Sequence, residues 1–260
     1  VYGASMAFSS DGRYLIAGMG KNLYRFDLSS PGVYRNKKLK SKVNFMRTGN
    51  LMGREILYYQ ANEKKLEFFD IISWGKSRPD LGVPEGILNA VLSIDGKRIY
   101  TSGYSGQIRG ITLNGNSEAD TFRLAKGCWY ADLSSDGKSL LVADFESVFL
   151  LDPSDLSLQV RIVPMKGLEP VVLDAENHYL APVRSLEGIA FEHRRKFFPP
   201  EQFDLKFNRP DLVLASMARA EPTLLKAYEK AWEKRVRRNG IDPSALRQEW
   251  QELPELRLVN

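Results

Sequence analysis

Along the first three quarters of the chain, short apolar runs alternate with polar residues, and the breaks between runs fall at a regular distance. Ser5-Met6-Ala7-Phe8 leads into Ser9-Ser10-Asp11-Gly12, then Tyr14-Leu15-Ile16-Ala17, then the stretch from Asn22 to Leu28. Asp-Gly pairs recur at Asp11-Gly12, Asp95-Gly96 and Asp136-Gly137, separated by 84 and then 41 residues. These are two periods and one period of about 42, in the range of propeller-type repeats. The intermediate step falls on Asn50-Leu51-Met52-Gly53, between Val43-Asn44-Phe45-Met46 and Glu55-Ile56-Leu57-Tyr58-Tyr59. A further step falls on Glu176-Asn177, again between apolar runs. Alternating runs bounded by such residues predict strands. Asp-Gly between two of them predicts a hairpin, since glycine accepts the positive φ of primed turns.

Each unit repeats one internal grammar. The fourth has Trp129 to Leu133, Ser135-Asp136-Gly137, Ser139 to Ala143 and Val148 to Asp152. The third strand ends apolar-Asp at Phe26-Asp27, Phe69-Asp70 and Leu151-Asp152, but the matching strand of the third unit, Gln107 to Thr112, lacks the aspartate. A carboxylate there is expected to accept backbone N–H groups in a turn. Thr121-Phe122-Arg123-Leu124 and Leu158 to Val163 supply fourth strands. Four short antiparallel strands per unit make a β-propeller blade. The pattern apolar-x-apolar-Ser-x-Asp-Gly, followed by a strand ending in apolar-Asp, resembles WD-type repeats over roughly residues 4–196. Phe-Asp or Leu-Asp replaces Trp-Asp, and no Gly-His pair precedes a unit, so the resemblance is to divergent bacterial WD-like propellers. It implies the fold and says little about the task.

The period stops at Phe197-Phe198-Pro199-Pro200, where two prolines cannot continue a central strand. Residues 1–198 are read as about five propeller blades, and residues 199–260 as a helical junction segment ending in a strand. Asn208-Arg209-Pro210-Asp211 predicts a helix start, and Glu221-Pro222-Thr223 starts a longer helix to Arg238, stopped by Gly240. On it Leu225, Tyr228, Trp232 and Val236 form one apolar face. Asp242 and Pro243 open a third helix, read to Trp250, and Leu253 to Val259 alternates as a strand with no partner in view. The stretch Phe203 to Leu214, with the helix that follows, resembles the junction segment of bacterial multidomain proteins in which a WD-type propeller precedes a caspase-like (clan CD) cysteine peptidase domain. The resemblance implies that the terminal strand leads into a further domain, and that the peptidase lies outside this chain.

Composition alters this little. Apolar residues make up 43% of the 260, enough for a core. Thirty-seven Lys and Arg stand against 32 Asp and Glu, a net charge of +5. Mixed charge of this size gives no strong field for nucleic acid, which is not an expected partner. One cysteine, Cys128, excludes an internal disulfide framework and fits a reducing, cytoplasmic setting. No run of 18 apolar residues and no signal-peptide pattern is present. The chain opens on Val1 rather than methionine. The expectation is the last part of a larger propeller with earlier blades upstream; a five-bladed ring is the alternative.

A cysteine peptidase needs a thiolate beside a histidine base. Cys128, His178 and His193 fall in no caspase-like motif; the cysteine is read as buried and inert, the histidines as surface residues. Gly103-Tyr104-Ser105-Gly106 lacks a spacer residue of the nucleophile elbow and is read as a hairpin turn, and Gly18-Met19-Gly20 lacks the rest of a phosphate loop. No metal-ligand spacing occurs. Three basic clusters, Arg35 to Lys42, His193 to Lys196 and Lys234 to Arg238, are read as edge protection and helix-end charges. No catalytic, cofactor-binding or metal residue is assigned, and no cofactor is expected. The function expected is a non-catalytic protein-binding module, the recognition or regulatory part of a larger caspase-like protease. The alternative is a free-standing scaffold or adaptor.

Overall fold

The computed structural model describes residues 4–40, 42–62, 64–77, 81–82, 86–113, 120–247 and 255–258. They belong to two compact units, Val1–Phe145 with Pro153–Leu156, and Glu146–Asp152 with Ser157–Asn260. In the first unit β1 (Ala4–Phe8), β2 (Tyr14–Met19), β3 (Asn22–Asp27) and β4 (Tyr34–Lys38) form an antiparallel meander in chain order. A second meander has β5 (Met46–Leu51), β6 (Arg54–Asn62), β7 (Lys65–Asp70) and β8 (Gly75–Lys76), with β9 (Leu81–Gly82) also pairing β7. The third has β10 (Asn89–Leu92), β11 (Arg98–Ser102), β12 (Gln107–Thr112) and β13 (Asp120–Arg123), and β14 (Tyr130–Leu133) pairs with β15 (Leu140–Ala143). Four-stranded meanders of this kind are the blades of a propeller.

The Asp-Gly turns are built alike. In the first, the Ser9 hydroxyl donates to the Asp11 carboxylate (2.6 Å), which accepts the Arg13 N–H (2.9 Å). The Tyr14 N–H reaches back to Ser9 Oγ at 2.8 Å, and the Gly12 N–H to the Ser9 carbonyl at 2.9 Å. Ser93-Asp95-Gly96 and Ser134-Asp136-Gly137 repeat these contacts. The serine hydroxyl and the backbone N–H together hold the Asp11 and Asp95 carboxyls below the usual carboxylate range. Only the glycine takes positive φ (70°, 69° and 70°), so these are not the primed two-residue turns expected. The serine and aspartate side chains close a longer loop instead, with glycine alone left-handed. The primed form occurs where Asp-Gly is absent: Met52 (φ 52°) and Gly53 (φ 81°) join the paired residues Leu51 and Arg54.

The carboxylates ending the third strands behave as expected where their contacts are seen. Asp27 accepts Ser29 N–H and pairs with Arg13 at 3.0 Å, and Arg13 with Ser29 holds its carboxyl down at about 2. Asp70 accepts the N–H groups of Ile72 and Ser73.

Alternation along the strands puts every second residue between sheets. Ile16 and Leu23 of the first sheet pack with Met46, Leu57, Tyr59 and Phe69 of the second. Ile56, Tyr58, Leu66 and Phe68, on the other face of the second sheet, pack with Ala90, Leu92 and Ile99 of the third. Burial raises Tyr58 to about 12, and its hydroxyl accepts the Leu92 N–H.

The second unit opens with β16 (Val148–Leu151), β17 (Leu158–Met165), β18 (Leu168–Leu173) and β19 (Tyr179–Leu180), again consecutive antiparallel neighbours. The fifth turn, Asp174 to His178, thus lies between β18 and β19, with Asn177 (φ 64°) in the left-handed role. β19 stops after two residues before Pro182, which has no N–H for a ladder. A separate sheet follows, with β20 (Ile189–His193) between β21 (Lys196–Phe198) and β22 (Glu255–Leu258). The terminal strand therefore has a partner within the chain, contrary to expectation: Ile189 to Glu192 register with Leu258 to Glu255. A partner distant in sequence leaves no local trace, which is why the strand read as unpaired.

The helices start where proline and acidic residues place them. α1 (Asp204–Phe207) precedes α2 (Pro210–Ser216), α3 (Pro222–Arg238) and α4 (Pro243–Arg247). Gly240 (φ 72°) follows α3 as its stop. Trp232 and Val236 are buried, whereas Leu225 is half-buried and Tyr228 is 37% exposed, so the predicted apolar face is fully buried only in its C-terminal half. The reach of α4 to Trp250, and Leu253-Pro254 and Val259 beside the last strand, lie outside the described residues. No described helix is long and apolar enough to cross a membrane.

Candidate functional site

Three exposed aromatic side chains meet at one end of the third and fourth repeats, all within the first unit. Tyr104 occupies the turn between β11 and β12, Trp129 immediately precedes β14, and Phe145 follows β15. In antiparallel strands these places share an end, opposite the Asp-Gly turns. The Tyr104 and Trp129 rings stand at 90° with centroids 5.7 Å apart, and Trp129 and Phe145 are 5.1 Å apart. Exposures are 60%, 46% and 75%, so the rings contact one another and still face solvent.

The backbone fixes this arrangement. The Cys128 N–H binds the Gly103 carbonyl at 3.1 Å and the Leu124 N–H binds the Gly106 carbonyl at 2.9 Å, locking the segment before Trp129 across the Tyr104 turn. Gly106 has φ +75°, and a Cβ there would sit 2.3 Å from the Lys126 carbonyl oxygen. The Trp129 N–H is held by the Ala143 carbonyl at 3.0 Å. The Gly-rich tetrapeptide is thus a hairpin turn, as read, but it also presents an aromatic ring. The sequence signal was three isolated aromatics at loop positions, separated by 25 and 16 residues. Nothing local joins them.

The candidate catalytic types are placed otherwise. Cys128 is buried, its thiol donates to the Tyr130 carbonyl at 3.3 Å, and burial pushes its pKa up. His178 is not the surface residue expected. Its side chain is 15% exposed, its ring lies 6.1 Å from that of Phe207, and its Nδ1 is 2.8 Å from the Asp174 carboxylate. Asp174, Glu176 and His178 come together at this turn. The other Asp174 oxygen accepts the N–H groups of Glu176 and His178, so the carboxylate is committed to the turn it closes. His193 ends β20, beside a primed turn whose residues are Arg194 (φ 51°) and Arg195 (φ 64°).

No family model matches the chain, and no curated protein matches it. Among solved structures it is similar to the β-propeller domain of Myceliophteria thermophila Cps50 (Swd1). The TM-score is 0.51 at 17% identity, over 67% of this chain and 66% of that one, just under two thirds of its length. The likeness is one of fold alone. This chain has a β-propeller fold.

Several polar side chains elsewhere are engaged in contacts within the chain. A cleft of ≈ 510 Å³ lies between the Asp-Gly turns of the third and fourth repeats, with Ile94, Arg98 and Leu133 among its walls. Arg98 binds the Pro153 and Ser154 carbonyls and the Asp120 carboxylate, and Tyr100 donates to Pro153 at 2.8 Å. Of the basic clusters, β4 is an edge strand as expected, and Lys37 caps the Phe69 ring at 4.3 Å. Arg235 is more than a helix-end charge: it binds the Asn208 carbonyl at 2.7 Å and the Asp204 carboxylate at 3.3 Å.

Proposed function

We propose that this chain is a non-catalytic protein-binding propeller module, and that Tyr104, Trp129 and Phe145 are its contact surface. The exposed, mutually supported aromatic cluster carries the proposal. Tyrosine and tryptophan dominate interface hot spots because they supply large contact area at small entropic cost. Propellers bind through loops at the ends of their blades, and these three residues occupy such loops. A buried free thiol fits a cytoplasmic setting.

The test compares wild type, Trp129→Ala and Phe145→Ser immobilised in parallel, with extract of the source organism passed over each. A partner recovered on wild type is then titrated as a purified protein against all three. Trp129→Ala is expected to weaken it about 30-fold or more, the effect of one hot-spot residue. The urea midpoint of each variant reports whether the fold is intact. Equal affinity for wild type and both folded variants would show that the partner is held elsewhere.

The segment Phe203 to Leu214, with its resemblance to propeller–peptidase junctions, supports a narrower reading in which this module recognises targets for, or regulates, an attached caspase-like protease. The paired terminal strand no longer argues for a further domain, so this reading rests on the junction residues. The downstream reading frame of the natural gene decides it. Peptidase-type His and Cys motifs there support the link, and a stop codon at that point leaves the free-standing scaffold.

A further inference from the structure

Within the first unit, the first sheet is packed against a neighbouring sheet on only one face. Phe8, Leu15, Phe26 and Tyr34 lie in one row across its four strands, since Phe8 registers with Leu15, Leu15 with Phe26 and Phe26 with Tyr34. Registered residues point to the same side of a sheet. Met6 and Met19 lie on that side too, two residues from Phe8 and four from Leu15 along their strands. Met6 is 65% exposed, Phe8 58%, Tyr34 57% and Met19 50%. The opposite face carries Ile16 and Leu23, both fully buried against the second sheet. So large an apolar surface on one blade is not explained by the site above, which lies on the third and fourth repeats.

The repeat shows what covers such a row. The pair Leu15–Phe26 corresponds to Leu57–Phe69 in the second sheet and to Ile99–Ile111 in the third, each joining the second and third strands of its meander. Leu57 and Phe69 are packed against the first sheet. Ile99 and Ile111 are packed against the second. In both cases this face is covered by the meander that comes immediately before it in the chain. Neighbouring blades thus use one rule of contact, and within the first unit the first sheet is the one whose preceding partner is not among the described residues.

We infer that the outer face of the first sheet is a blade-to-blade interface, and that its occupant is one more four-stranded repeat of the same chain, preceding Ala4 in the natural protein. The occupant presents the apolar set that Ile56, Tyr58, Leu66 and Phe68 present to the third sheet. The row in β1 to β4 is the complementary half.

Methionine oxidation reads this directly. Under dilute peroxide, Met6 and Met19 of the 260-residue chain are expected to form sulfoxide at least about ten-fold faster than Met46, which is buried at 4% exposure. In the intact protein purified from its source, Met6 and Met19 are expected to fall to the slow rate of Met46. Fast oxidation of both in the intact protein overturns the inference, as does an intact protein with no repeat before Val1. Light scattering on the 260-residue chain covers the rival occupant. A dimer that protects Met6 and Met19, and that Phe8→Asp returns to a monomer with fast oxidation, would give the face to a second copy instead. None of these readouts depends on Trp129, so the inference and the proposed contact surface fail separately.

Discussion

Replacing Phe191 by alanine is expected to destabilise the second unit by about 3–5 kcal/mol, the cost of emptying a buried aromatic site. Phe191 is fully buried in β20 and is the hub of an aromatic cluster. Its ring stacks on Phe207 at 5.0 Å and meets Phe203 at 5.1 Å and Tyr179 at 6.2 Å. Two of these partners come from the segment after the prolines, and one from β19. Phe191 therefore ties the helical tail to the last strands, and its loss removes both ring contacts and transfer energy. Urea unfolding followed by hydrogen exchange at the β20 amides separates this unit from the first. Phe191→Leu, which refills part of the space, is expected to cost clearly less. A loss below about 1 kcal/mol for the alanine variant would mean that the site collapses without penalty.

The second large effect concerns Arg209 and Asp211, which flank the proline that opens α2. They form a forked pair, with Nε to one carboxylate oxygen at 2.9 Å and the second guanidinium nitrogen to the other at 2.6 Å. Both residues are 5% exposed, and the guanidinium lies 3.9 Å from the Trp232 ring centroid. Removing one partner leaves a buried charge without its counter-ion. Arg209→Met or Asp211→Leu alone is expected to cost about 3–5 kcal/mol. The double variant Arg209→Met/Asp211→Leu should recover most of that loss, because replacing a whole buried pair by apolar groups is often nearly neutral. Denaturant midpoints of the four proteins form the cycle. If the double variant is as unstable as the sum of the singles, the two charges are not acting as a pair.

The residues Asn208-Arg209-Pro210-Asp211 predict a helix start and lie within the stretch Phe203 to Leu214 that carries the family resemblance. In the structure every polar member has a structural partner. Asn208 donates to Asp204 at 2.7 Å, Asp204 also accepts the Tyr179 hydroxyl at 2.8 Å, and Trp232 donates to the Leu205 carbonyl at 2.7 Å. A conspicuous motif can therefore come from the demands of a buried polar knot, where each donor and acceptor must be matched.

What the sequence determined by itself was the periodic part. Strand order, the three Ser-x-Asp-Gly turns and the proline-marked helix starts follow from contacts within a few residues, and short-range chemistry is written in order along the chain. Even the turn geometry was missed only in type, because Ser9, Ser93 and Ser134 reach around the aspartate rather than beside it. Only the tertiary structure decided the rest. It paired β22 with β20, placed His178 against Phe207, and gathered Tyr104, Trp129 and Phe145 into one patch. Within the first unit it also left one face of β1 to β4 without a covering sheet, although that face has the same residue pattern as its covered counterparts. The physical reason is common to all four. Burial and proximity between distant segments are properties of packing, and a hydrophobic residue reads the same in sequence whether its neighbour is another sheet or water.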